Sequence, residues 1–160
     1  MMNKQYVSVL VESLEKKIRI LDKIYQLCQK QAEIIANEPV NFEEFDRCMD
    51  EKDNCIQALD KLDEGFEMLY DRVGQELKGN KNLYSEQIKH MQQSISEIMD
   101  KSTAIQALEE RNKRAVEANF AKERTEIGRG KRSLNVAMNY YRSMRGGADN
   151  VEPQFMDKKK

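Results

Sequence analysis

The residues best able to do chemistry in this chain are few, and their spacing denies them a common site. Its thiols and imidazoles are Cys28, Cys48, Cys55 and the single histidine, His90. Cys48 and Cys55 stand seven apart, two turns along one helical face. A structural zinc site places paired ligands about two to four residues apart and adds two more. Three cysteines make no disulfide framework, because one must stay unpaired. The thiols therefore read as side chains flanking a core. His90 follows Glu86 by four residues. A di-iron bundle instead repeats a Glu-x-x-His motif on several helices, and no second histidine exists here. Gly128-Arg129-Gly130 lacks the strand before it and the motif after it that a phosphate loop needs. The basic stretch from Arg111 to Arg132 is interleaved with Glu117, Glu123 and Glu126, which breaks any cationic track for a phosphate backbone. No enzyme, metal site, cofactor or nucleic-acid interface is expected.

What remains is the chemistry of helix recognition. Leu134, Met138, Tyr141 and Met144 recur at i, i+4, i+7 and i+10, one face of an amphipathic helix. Tyr140 lies beside them. Methionine adapts to irregular apolar partners and suits surfaces that must accept a helix. This segment either folds back as a fourth core helix or docks a partner, and the sequence carries both readings.

The elements that would position these groups are long helices. Charged residues make up 34% of the 160 residues, against roughly a quarter in ordinary domains. There is no Trp, and only two prolines and seven glycines interrupt the chain. Val7, Leu10, Leu14, Ile18, Leu21, Tyr25, Cys28, Ala32 and Ile35 recur at spacings of three and four, which predicts a first helix from about Asn3 to Ala36. Pro39 disfavours helix at Glu38 and ends it. Asn41 has the form of an N-cap, with Glu44 placed as the reciprocal acid of a capping box. The second helix carries Phe45, Met49, Ile56, Leu59, Phe66, Tyr70, Val73 and Leu77, with Lys52 and Asp63 also on its heptad seam. Polar seam residues lower stability and fix register. Lys78 to Asn82 forms the second turn, where Gly or Asn can take a left-handed cap. A third helix follows from about Leu83 to Glu126, its seam running Ile88, Met91, Ile95, Ile98, Ser102, Ile105, Leu108, Asn112, Ala115 and Asn119. After Leu108 that seam turns small and polar, so tight packing is expected only in the first half.

Short connections force consecutive helices antiparallel. The expected fold is all-α: an elongated antiparallel bundle of three long helices over residues 1–127, a short amphipathic C-terminal helix within 128–147, and a disordered tail over 148–160. Charge is uneven along it. Residues 41–78 carry five basic and twelve acidic side chains, net −7; residues 128–160 carry eight and three, net +5. No apolar run reaches the length of a membrane span, and Met1 to Tyr6 leads straight into a charged helical pattern, so no insertion and a cytoplasmic location are expected.

The layout resembles the FlgN-type flagellar export chaperones over roughly residues 5–145. The resemblance rests on Leu10-Val11-Glu12-Ser13-Leu14-Glu15 in the first helix and Asn41-Phe42-Glu43-Glu44-Phe45 opening the second. It continues through Glu51-Lys52, Ile56, Leu59 and Leu62, and through Asn112 and Asn119 late in the third. It implies a chaperone that binds the terminal helical segments of hook-associated, hook–filament junction proteins and hands them to the type III export gate. In that family the C-terminal part makes the cargo and gate contacts. Carried onto this sequence, Leu134, Met138, Tyr141 and Met144 become cargo-binding candidates and Tyr140 with Tyr141 gate-docking candidates. The alternatives are a FliT-type chaperone for the filament cap and a structural coiled-coil scaffold. A chaperone is expected as a monomer or small homo-oligomer, a scaffold as a higher one.

Overall fold

The computed structural model describes residues 2–122. Three helices fill that span: α1 over Met2–Ala36, α2 over Phe42–Gly79 and α3 over Ser85–Lys122. No strand occurs among the described residues. At about 1.5 Å per residue, helices of 35 and 38 residues make a rod of roughly 55 Å. The third helix was expected to reach Glu126, and residues 123–126 lie outside the described span. So do the amphipathic segment within 128–147 and the tail.

Cross-helix contacts fix the topology. Lys17 meets Asp63, Cys28 meets Lys52 and Gln31 meets Phe45, so numbers fall on α2 as they rise on α1. Asp22 meets Lys101 and Cys28 meets Glu109, so α3 runs parallel to α1. Helix α1 packs along both others. Nine of its buried residues, Val7, Leu10, Leu14, Lys17, Leu21, Ile24, Cys28, Gln31 and Ile35, keep an unbroken three–four alternation, with buried Leu27 beside it. That is a heptad seam with Lys17 and Gln31 inside it. Ile18, Tyr25 and Ala32, expected on the seam, are half-buried on its flank. Ile18 and Ala32 looked more natural than the polar seam residues Lys17 and Gln31, and Tyr25 stands beside the apolar seam residue Ile24, from which spacing does not separate it.

The ends follow from capping chemistry. The Asn41 side chain accepts a hydrogen bond from the Glu44 backbone N–H at 3.1 Å. The return bond of a capping box from the Glu44 carboxylate does not form. Glu43 and Glu44 sit in the first turn, where the helix dipole favours acids. The other end of α2 corrects the expectation of a left-handed cap. No described residue has positive φ; Asn80 stands at φ −130°. Its backbone N–H and its side-chain amide both donate to the Glu76 carbonyl, at 3.0 and 3.1 Å. That satisfies an orphan acceptor of the last turn without a left-handed residue. The Asn80 carbonyl in turn accepts from the Leu83 and Tyr84 N–H groups and leads into α3.

Candidate functional site

Midway between the rod's centre and one end, the core stops being apolar. Lys52 of α2 is fully buried, and its Nζ donates to Glu109 Oε1 of α3 at 2.6 Å. Cys28 of α1 donates its thiol to the same carboxylate oxygen, and the Lys52 ammonium also approaches Cys28 Sγ at 3.8 Å. One turn along α3, Asn112 Nδ2 donates to the Cys28 carbonyl at 2.9 Å. One turn along α1, Gln31 Nε2 donates to the Phe45 carbonyl at 3.3 Å. All three helices thus contribute a polar seam residue to one layer.

A buried ion pair of this kind is weak evidence for stability, because desolvating both charges offsets most of their attraction. Its specificity is the stronger consequence: Lys52 inside the bundle requires Glu109 at one height on α3, so the register of α2 on α3 is set. Two further pairs do the same at the edges. Lys17 joins Asp63 and Lys101 joins Asp22, each at 2.6 Å. Each pair of helices is therefore tied by one lysine–carboxylate contact. The Asp22 hydrogen bond holds the Lys101 ammonium above its ordinary pKa.

The layer offers no reacting surface. Burial first, with the neighbouring Glu109 carboxylate, pushes the Cys28 thiol far up, against the opposing Lys52 charge, so its nucleophilic thiolate is suppressed. Cys48 and Cys55 are buried free thiols, pushed up by burial as well. Expected beside the core, they lie within it. His90 is exposed, 3.4 Å from Glu15 of α1.

The structure overturns the expectation that α3 packs loosely after Leu108. Glu109, Asn112, Val116 and Asn119 are all buried there. Polar side chains fill the seam because α1 and α2 present polar partners to them. Lys52 was legible as a seam residue; Glu109 was not singled out. Spacing could not single it out: Ile105, Glu109, Asn112, Val116 and Asn119 alternate four and three, and Ile105, Leu108, Asn112, Ala115 and Asn119 alternate three and four equally well.

The residues nominated as cargo and gate contacts, Leu134, Met138, Tyr140, Tyr141 and Met144, lie outside the described residues. Comparison with known proteins bears on the chain as a whole. The sequence model of the FlgN protein family matches residues 1–138, through all three described helices. The chain belongs to the FlgN family. It is thereby placed among the flagellar export chaperones, as its sequence patterns indicated. The FlgN match includes Leu134 and Met138 and stops short of Tyr140, Tyr141 and Met144. No curated protein and no solved structure matches the chain. None of the described FlgN helices is long and apolar enough to cross a membrane.

Proposed function

We propose that this FlgN-family chain is a cytoplasmic, non-enzymatic chaperone for hook–filament junction proteins. It binds their terminal helical segments before export, prevents early assembly, and delivers them to the type III export gate. The observation that carries this is the family match over residues 1–138, joined to a rod whose polar layer fixes one helical register. Cargo binds at the segment around Leu134, Met138, Tyr141 and Met144, and Tyr140 with Tyr141 contacts the gate. An amphipathic face at that spacing docks as a helix in a groove. A segment that orders on binding gives up affinity to entropy, which favours release.

The experiment is a calorimetric titration of a junction-protein terminal helix into the chain and into the double variant Met138→Ala/Tyr141→Ala. Aromatic anchors commonly contribute about 2 kcal/mol or more. The double variant is expected to lose binding while its melting temperature stays nearly unchanged. Equal affinities would remove the segment as cargo site. Sedimentation should give a monomer or small homo-oligomer; a large assembly would favour a scaffold.

A further inference from the structure

The outer surface between α1 and α2 holds a groove of about 600 Å³. Ile20, Ala58 and Leu62 line it with apolar surface, and Lys16, Arg19, Lys23 and Lys61 surround them. Ala58, Leu62 and Gly65 share one flank of α2, at i, i+4 and i+7. A Cβ placed on Gly65 would meet nothing within 4 Å, so nothing crowds that flank one turn past Leu62. Small residues on that flank let another backbone come close.

The rim charges are not neutralised from within. Lys17, Lys52 and Lys101 each hold a carboxylate, whereas Lys16, Arg19, Lys23 and Lys61 pair with no described residue. Glu51, seven residues before Ala58, shares the groove's flank of α2 on the side of Lys23, and the exposed acids that follow it do not. Asp60, Glu64, Glu67 and Asp71, at i, i+4, i+7 and i+11, are exposed on the opposite flank. An acidic helix thus presents a basic, apolar-floored face beside α1.

Charge selects the occupant. Residues 128–160 of the chain carry net +5 and would be repelled. A second copy seated two-fold on the same groove would oppose one cationic rim with another. We propose that the α1–α2 groove docks an acidic amphipathic helix of a partner protein. Its apolar residues rest on Ile20, Ala58 and Leu62, and its carboxylates meet Lys16, Lys23 and Lys61. The concave strip between two helices suits a third helix laid along it, where a flat lipid surface would touch only the rim. This groove lies on the described bundle, apart from residues 134–144, and stands or falls independently of the cargo site proposed there.

The test uses the full chain and a synthetic amphipathic peptide of about 20 residues, long enough to be helical when bound. One version has Leu at i, i+3, i+4 and i+7 with Glu on both flanks; its match has Lys in place of Glu. The acidic peptide should bind at least about tenfold more tightly than the basic one, and more weakly as salt rises. The surface variant Lys16→Glu/Lys61→Glu should weaken it by a similar factor. Ala58→Gln, an exposed change that fills the floor, should weaken it without lowering the melting temperature. The proposal is overturned by equal binding of the two peptides, by no binding of either, or by indifference to both variants. Binding only to phosphatidylglycerol vesicles, or a self-association that Ala58→Gln abolishes, would also overturn it.

Discussion

Lys52 illustrates how much a single side chain can specify. An ammonium with no exposed surface is tolerated with Glu109 2.6 Å away, and Glu109 in turn takes the Cys28 thiol. Removing one partner leaves the other charge buried alone, at a cost of about 3–5 kcal/mol. Lys52→Met should therefore destabilise the chain by that order in urea unfolding, and Lys52→Met/Glu109→Leu should recover most of the loss. If the double variant is no better than the single, the pair is not what makes the site sensitive. Cys28 supplies a second check through pH. Its folded pKa is raised above the ordinary value of 9.0, so the native state holds a proton that the unfolded state releases. That contribution is fully present below about pH 9 and is lost as pH rises above it. The stability of the wild type should fall more between pH 8 and pH 10 than that of Cys28→Ala; equal falls would exclude Cys28 as the source. The pairing of Lys52 with Glu109 could not be read from spacing, since the two lie 57 residues apart and the chain has 28 acids to choose among. A polar seam position shows that a partner is needed and leaves open which one it is.

At the scale of elements, the three helices were legible because their boundaries rest on local chemistry: Pro39 and Asn41 between α1 and α2, Gly79 and Asn80 after α2. The seams were blurred where polar, at Lys17, Gln31 and Glu109, and also where two neighbouring apolar residues competed, as at Ile24 beside Tyr25 and Cys55 beside Ile56. Burial also varies along α2 in a way periodicity does not reveal. Phe45 is buried, whereas Phe66, one of the same seam, is only half-buried. Phe45→Ala should cost about 3–5 kcal/mol and Phe66→Ala clearly less. The two interior glycines of α2 separate in the same manner. Gly65 faces open space, so Gly65→Ala should gain about 1 kcal/mol of stability from helix propensity alone. At Gly74 a Cβ would stand 3.1 Å from the Tyr70 ring, which is itself stacked on Phe66 with centroids 6.2 Å apart. A ring held on its far side yields poorly, so Gly74→Ala should gain less or lose. Equal midpoint shifts for the two variants in urea would mean that the Tyr70 ring gives way freely.

For the whole molecule, the question is whether the rod is complete without the residues that follow it. The three described helices bury a continuous seam from Val7 at one end to Ile35 and Asn119 at the other. Lys122 lies 3.7 Å from Glu38, so α3 finishes level with the turn that joins α1 to α2. The large apolar side chains left exposed among the described residues, Val9, Met68, Leu83 and Met99, belong one each to α1, α2, the second turn and α3, and none of them lines the α1–α2 groove. Single exposed hydrophobes are ordinary on soluble surfaces. A chain ending at residue 127 should accordingly keep its cooperative melt, with Tm lowered by less than about 4 °C, the shift that about 1 kcal/mol produces at this size. The same truncation should lose the junction-protein helix, because it removes Leu134, Met138, Tyr141 and Met144. These two readouts separate the competing accounts of the C-terminal segment. A large fall in Tm would make it a fourth core helix, whose apolar face is spent on the bundle. An unchanged Tm with binding lost would make it the part of the molecule that meets cargo, carried on a rod that folds without it.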